Sequence, residues 1–179
     1  MRNRASLYVG LLLLLFGAFF LVASATAGLH GWLGDILGWR GLWPVLVILV
    51  GMAFLLPIAI WWDRRDQVAG FVIPGTIVTV NGLLLLYQNW TGDWGSWAYA
   101  WTFEPLAVAL GLLLLYYLTD RRTPGLLLAA KIVGGIGIVL FVILASAFNG
   151  ALRFLGPIAL MAVGLAVILR GRRGAHSDS

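Results

Sequence analysis

Side chains that could do chemistry are few here, and their spacing does not favour it. Of 179 residues, two are histidine (His30 and His176) and none is cysteine. That leaves no histidine-built metal centre, no thiolate site and no cysteine nucleophile. His30 and Asp35 stand five apart in a glycine-rich stretch, with no serine nearby in a recognisable nucleophilic setting. No GxSxG, HExxH, phosphate-loop or paired-carboxylate pattern supports hydrolysis or phosphoryl transfer. The formal net charge of +5 comes from arginines scattered in ones to threes rather than gathered on a face, which argues against a nucleic-acid partner. The expectation is a protein that is not an enzyme and carries no cofactor or metal.

The remaining polar groups are informative by where they fall along apolar runs. Asn81, with Thr76 and Thr79 nearby, sits in the middle of one such run. A hydrogen bond to another helix, of the order of 0.6–1.7 kcal/mol, accounts for it without a substrate. Lys131 lies six residues past Gly125, close enough to the run's start for its stem to snorkel back to the headgroups. Glu104 precedes Pro105 and Arg153 lies four residues before Pro157, so equivalent positions carry opposite charge. They read either as an ion pair clamping two hairpins or as two solvated interface charges, an exposed pair contributing roughly 0–1 kcal/mol. Trp32, Ile36, Trp39 and Trp43 recur at i, i+4, i+7 and i+11, and Trp90, Trp94, Trp97 and Trp101 repeat that spacing. Such spacing predicts one side of a helix for each set. Indole favours the headgroup region, so these residues read as interfacial helices or loops, or as an aromatic platform for a lipid, glycan or partner helix. Gly28, Gly31, Gly34, Gly38 and Gly41 weaken a helix in the first set, or let it pack tightly on the span tops.

The elements that must position these groups are apolar helices. Hydrophobic residues make up 61% of the chain and charged ones 11%, against about 45–50% and about 25% in soluble domains. Crossing a bilayer takes about 20 apolar residues. Six stretches reach or approach that length: Leu7–Ala27, Leu42–Trp62, Gly70–Asn89, Phe103–Thr119, Leu126–Asn149 and Ala151–Leu169. Without strand-like alternation, helices are the structure that satisfies the backbone in lipid. The fold expected is therefore all-α, a single six-helix transmembrane domain of three hairpins (7–62, 70–119 and 126–169), followed by a short basic cytoplasmic tail, 170–179. Nine basic residues, from Arg2 and Arg4 through Arg64, Arg65, Arg121 and Arg122 to Arg170, Arg172 and Arg173, fall on one side, which places both termini in the cytoplasm. Met1–Gly28 also has features of a secretory signal, but the run Leu7–Ala23 exceeds the usual h-region of about 7–15 residues.

The hairpins resemble one another. Odd spans carry Gly17, Gly82 or Gly137 before large apolar residues, and even spans pair a proline with a later glycine: Pro44 with Gly51, Pro105 with Gly111, Pro157 with Gly164. Small residues let helices approach in lipid, so these glycines read as packing notches. The segment Trp43–Gly51 (Trp-Pro-Val-Leu-Val-Ile-Leu-Val-Gly) and the aromatic stretch Tyr87–Trp101 resemble the bacterial LiaI-LiaF-like transmembrane region, over about Leu7 to Leu118. That resemblance implies a multi-pass protein of the bacterial inner membrane; some members modulate envelope-stress signalling through a sensor kinase within the membrane, and no catalytic residues come with it. The function expected is action through helix–helix or lipid contacts, with membrane lipids, a membrane-protein partner or a second copy as partners. The alternatives are a small transporter or channel for a neutral or apolar solute, or an accessory subunit of a membrane complex.

Overall fold

The computed structural model describes residues 3–28, 31–120 and 122–174, and among them every regular element is helical. The helices are α1 (Arg4–Ala25), α2 (Trp32–Leu37), α3 (Trp39–Ile60), α4 (Arg65–Val68), α5 (Val72–Thr91), α6 (Trp97–Ala100), α7 (Phe103–Leu118), α8 (Pro124–Phe148) and α9 (Leu155–Gly174), with short 3-10 turns between several of them. Four segments, Arg4–Ala25, Gly34–Ile60, Trp62–Thr91 and Pro124–Phe148, are long and apolar enough to cross a membrane; the second joins the end of α2 to α3, and the third joins two 3-10 turns and α4 to α5. A fifth arises if Trp94–Ala100 and Phe103–Leu118, bent by 58° at their junction, form one span. The sixth expected stretch is helical, but its apolar part, Leu155–Ala166, is short. Asn149 ends α8 in an extended conformation and the chain turns through Phe154, so Ala151 to Phe154 are not helical. At the other end of α9 the helix runs on through Arg170 to Gly174, where a separate tail was expected. His30, His176, Arg2, Arg121 and the tail's last residues lie outside the described residues.

Prolines set the helix starts. Pro105 and Pro157 fall two residues inside α7 and α9, in the first turn, where a missing N–H costs no helical bond. Pro44 and Pro57 instead lie inside α3. There each removes the donor that the carbonyl four residues earlier would have used. Those two carbonyls belong to Arg40 and Ala53, and both are taken up by side chains from neighbouring helices. Asn89 Nδ2 of α5 donates to the Arg40 carbonyl at 2.8 Å, and the Tyr8 hydroxyl of α1 donates to the Ala53 carbonyl at 3.1 Å.

The long helices pack in chain order, α1 on α3, α3 on α5, α5 on α7, α7 on α8 and α8 on α9, with the closest packing between α3 and α5. Glycines explain that closeness. A Cβ on Gly51 of α3 would come within 2.7 Å of the Thr79 amide nitrogen of α5, and one on Gly82 of α5 within 2.8 Å of the Ile48 nitrogen of α3. Gly111 of α7 receives Ile73 of α5, and Gly137 of α8 receives Leu106 of α7, at 3.0 and 2.9 Å from the same hypothetical atom. Four of the six repeat glycines are therefore seats for a neighbouring helix. Gly17 of α1 and Gly164 of α9 have nothing within 4 Å of that position.

One end of the row is held by ion pairs, Arg4 with Asp63 and Arg65 with Asp120, while the Asp66 carboxylate accepts from the Asp120 amide at 3.0 Å. These contacts bring the start of α1, the end of α3 and the end of α7 to the same level. The Asp63 carboxyl is held below its ordinary value, first by the hydrogen bond from Arg4.

Two outcomes are expected. Gly51→Val, which drives a branched side chain into the α5 backbone, should lower stability in detergent by about 1–3 kcal/mol, whereas Gly17→Val should leave the unfolding temperature almost unchanged. A carboxyl held low in the folded state stabilises above the ordinary carboxylate range and loses that contribution as pH falls through its lowered value. The unfolding-temperature gap between the parent and Asp63→Asn should therefore be present at neutral pH and close below about pH 4; a gap that persists in acid would show that Arg4 does not hold this carboxylate.

The tryptophan-bearing end as candidate functional site

At the end opposite the arginines, backbone breaks redistribute the two tryptophan sets. Gly38, extended at ψ 173°, separates α2 from α3, so Trp32 belongs to one helix and Trp39 and Trp43 to the next. Gly92, in the left-handed region at φ 71°, ends α5 just after Trp90. Trp94 then lies in a 3-10 turn, Trp97 in α6, and Trp101 at the α6 terminus. Neither set therefore lines one helix, as the spacing had suggested: both stretches hold a glycine where the chain must change direction. Gly41 packs so closely on the carbonyls of Asp35 and Ile36 that no Cβ fits, which folds α2 back on the start of α3.

Five of the seven indoles are substantially exposed: Trp39, Trp90, Trp94, Trp97 and Trp101, at 41–53%. Trp43 is built in, its Nε1 donating to Asn89 Oδ1 at 3.2 Å. The side chain of Trp32 lies outside the described residues. Trp39 also meets Phe19 of α1 edge-on, with ring centroids 6.1 Å apart.

What fixes this face is a set of amides. Asn89 bridges α5 to α3 by accepting from Trp43 and donating to the Arg40 and Gly41 carbonyls. Gln88, fully buried, donates to Ser96 Oγ at 2.9 Å and ties the end of α5 to the following turn. Asp93 caps that turn by accepting from the Ser96 amide. Asn149 at the end of α8 donates to the Tyr99 hydroxyl of α6 at 2.8 Å. Tyr99 and Phe103 in turn stack edge-on to Phe141 of α8. Gln88, Asn89 and Asn149 do not stand out by motif. Their signal is positional: amides at the ends of otherwise apolar runs, where an unpaired polar group is costly.

The other expected groups are placed as follows. Glu104 is half-buried at the start of α7, and Arg153 lies over the Phe154 ring at 4.8 Å. Among the described residues the ion pairs are those at the opposite end; the candidate Glu104–Arg153 pair is not formed, and of the two readings the separate charges hold. A cation–π partner adjacent in sequence is available to Arg153 without ordering a second charged chain. Asn81 does not reach another helix: its Nδ2 donates to the Ile77 carbonyl of its own helix at 3.0 Å. Thr76 does likewise with Val72 at 2.8 Å. Thr79 Oγ1 is buried beside Gly51 without a hydrogen-bond partner. Lys131 is exposed on α8. Among the described residues no group of three or more histidines, cysteines or carboxylates could hold a metal ion.

No family model, curated protein or solved structure matches the chain.

Removing the amide that serves the freed carbonyl should be costly in a diagnostic way. Asn89→Leu is expected to destabilise by about 0.5–1.5 kcal/mol, the net contribution of a hydrogen bond that is not fully buried. Pro44→Ala restores the Arg40 carbonyl's helical donor, so the same Asn89→Leu change should cost measurably less in that background. Additive costs in the four-variant unfolding cycle would show that the carbonyl and the amide are not coupled.

Proposed function

We propose that this chain is a non-enzymatic protein of the bacterial inner membrane, built of six spans in three hairpins with both termini cytoplasmic. It acts through helix–helix and lipid contacts, in the setting of an envelope-stress response. The orientation rests on the arginine distribution, and the physiological setting on the resemblance to LiaI-LiaF-like regions. The observation that carries the contact reading is the contrast among the repeat glycines. Gly51, Gly82, Gly111 and Gly137 each seat a neighbour, while the same notch on the two terminal helices, at Gly17 and Gly164, stands open. Around those notches the helices present large apolar side chains, with Leu13, Leu14 and Leu21 of α1 and Leu160 and Met161 of α9 all at least 70% exposed. Lipid alone covers such a surface, but an open glycine among leucines is the geometry by which helices in a bilayer approach one another.

The transporter or channel reading began from Asn81, Thr79 and Thr76. With Asn81 and Thr76 turned onto carbonyls of their own helix and Thr79 at the α3–α5 seat, these groups serve packing, which favours the contact reading. An accessory subunit of a membrane complex is the same chemistry with a permanent partner.

Photo-cross-linking residues placed at Leu14 and at Leu160 in native membranes should each capture a helix of a membrane protein or of a second copy. Gly17→Leu and Gly164→Leu should abolish capture at the altered helix without lowering the unfolding temperature. No protein adduct from either helix would overturn the reading.

A further inference from the structure

Between α1 and α3 lies an apolar cavity of about 460 Å³, within the roughly 300–1,000 Å³ typical of small-molecule sites. Phe16 of α1 and Val50 and Phe54 of α3 line its length. Its mouth, at the arginine end, is formed by Trp61, Arg64 and Gln67. The groove is a built feature, because α1 is fastened to α3 and the turn after it at separate points: Arg4 to Asp63, the Tyr8 hydroxyl to the Ala53 carbonyl, and Phe19 to Trp39. A second, more polar cavity of about 720 Å³ adjoins the first and shares Trp61 and Arg64 with it, adding Asn3, Arg4 and Asp63. The cations around this mouth are not equivalent. Arg4 is engaged by Asp63 and Arg65 by Asp120, whereas Arg64 is in no ion pair among the described residues. An apolar groove that ends on an exposed guanidinium outside any ion pair, beside an indole and an amide, has the polarity profile of one amphiphile.

We infer that this groove is a site for one anionic phospholipid of the arginine-side leaflet, its phosphate against Arg64 and Gln67 and an acyl chain along Phe16, Val50 and Phe54. Arg64 supplies a planar fork of donors suited to phosphate. Arg64 and Gln67 also line a smaller polar cavity with Asp63, Asp66 and Asp120, but Arg4 engages Asp63, Arg65 engages Asp120 and Asp66 accepts from the Asp120 amide, which leaves Arg64 the guanidinium of this cluster outside an ion pair. The inference deepens the lipid half of the proposed function and rests on the chain being embedded in a bilayer; the open faces of α1 and α9 play no part in it.

The test uses the full chain reconstituted in vesicles of equal phosphatidylglycerol and phosphatidylcholine, extracted in mild detergent and weighed with its retained lipid by native mass spectrometry. One retained phosphatidylglycerol, favoured over phosphatidylcholine about tenfold, is expected from a single charge-assisted contact. Arg64→Gln should bring the two lipids to near parity at an unchanged unfolding temperature, and Val50→Trp, which fills the groove, should reduce retention of both. Arg153→Gln, at the other end of the molecule, should leave the preference intact. Equal retention in the parent, or an Arg153→Gln effect as large as that of Arg64→Gln, would overturn the site. A preference that holds while cross-links from α1 and α9 fail supports the site and removes the helix-partner reading; cross-links without any preference overturn the site alone.

Discussion

A carbonyl without a donor is the constraint around which this fold is arranged. In an apolar medium every backbone group must be satisfied within the protein, and α3 carries two prolines that each withdraw one donor from its ladder. The two orphaned carbonyls are met from opposite neighbours, Tyr8 of α1 at Ala53 and Asn89 of α5 at Arg40. A local defect thereby becomes a pair of directional fasteners, and α3 is pinned on both flanks, at a part-buried carbonyl by Tyr8 and at an exposed one by Asn89. The same Asn89 holds the Trp43 indole, so the order of the tryptophan-bearing end follows from the defect in the helix below it.

Glycine does the complementary work along the shafts. Where lipid tails are as apolar as leucine, close approach and van der Waals contact hold helices together. Gly51 and Gly82 allow the α3 and α5 backbones to come near enough for Thr79 and Ile48 to fill each other's notches. This pair lies between the two proline fasteners, and it is the tightest packing in the molecule. Toward both chain ends the packing loosens, and most of α1 and of the described side chains of α9 are exposed.

Much of this was legible in the amino-acid order. Apolar length gave helices, and the recurrent glycines pointed to the seats at Gly51, Gly82, Gly111 and Gly137. What could not be read were relations set by turns. The i, i+4, i+7 spacing of tryptophans assumes one continuous helix, and Gly38 and Gly92 each break it, the second by a left-handed conformation that any spacing rule passes over. Asn81 was expected to bond across helices because of its depth, but a helical asparagine has a carbonyl four residues back within reach and no requirement to look further. Conversely, Asn89 and Tyr8 matter because of prolines roughly forty-five and fifty positions away in the chain, a coupling visible only when the helices are side by side.

Because each long helix leans chiefly on the one before it and the one after it, the molecule has the connectivity of a ladder, whose rungs are joined only to adjacent rungs. Such an arrangement has a consequence for biosynthesis. A segment emerging from the ribosome finds its docking surface already in place on the preceding segment and need not wait for distant parts of the chain. The loop to be closed at each step is short, and its entropic cost is correspondingly small. Assembly can thus keep pace with translation, one rung at a time.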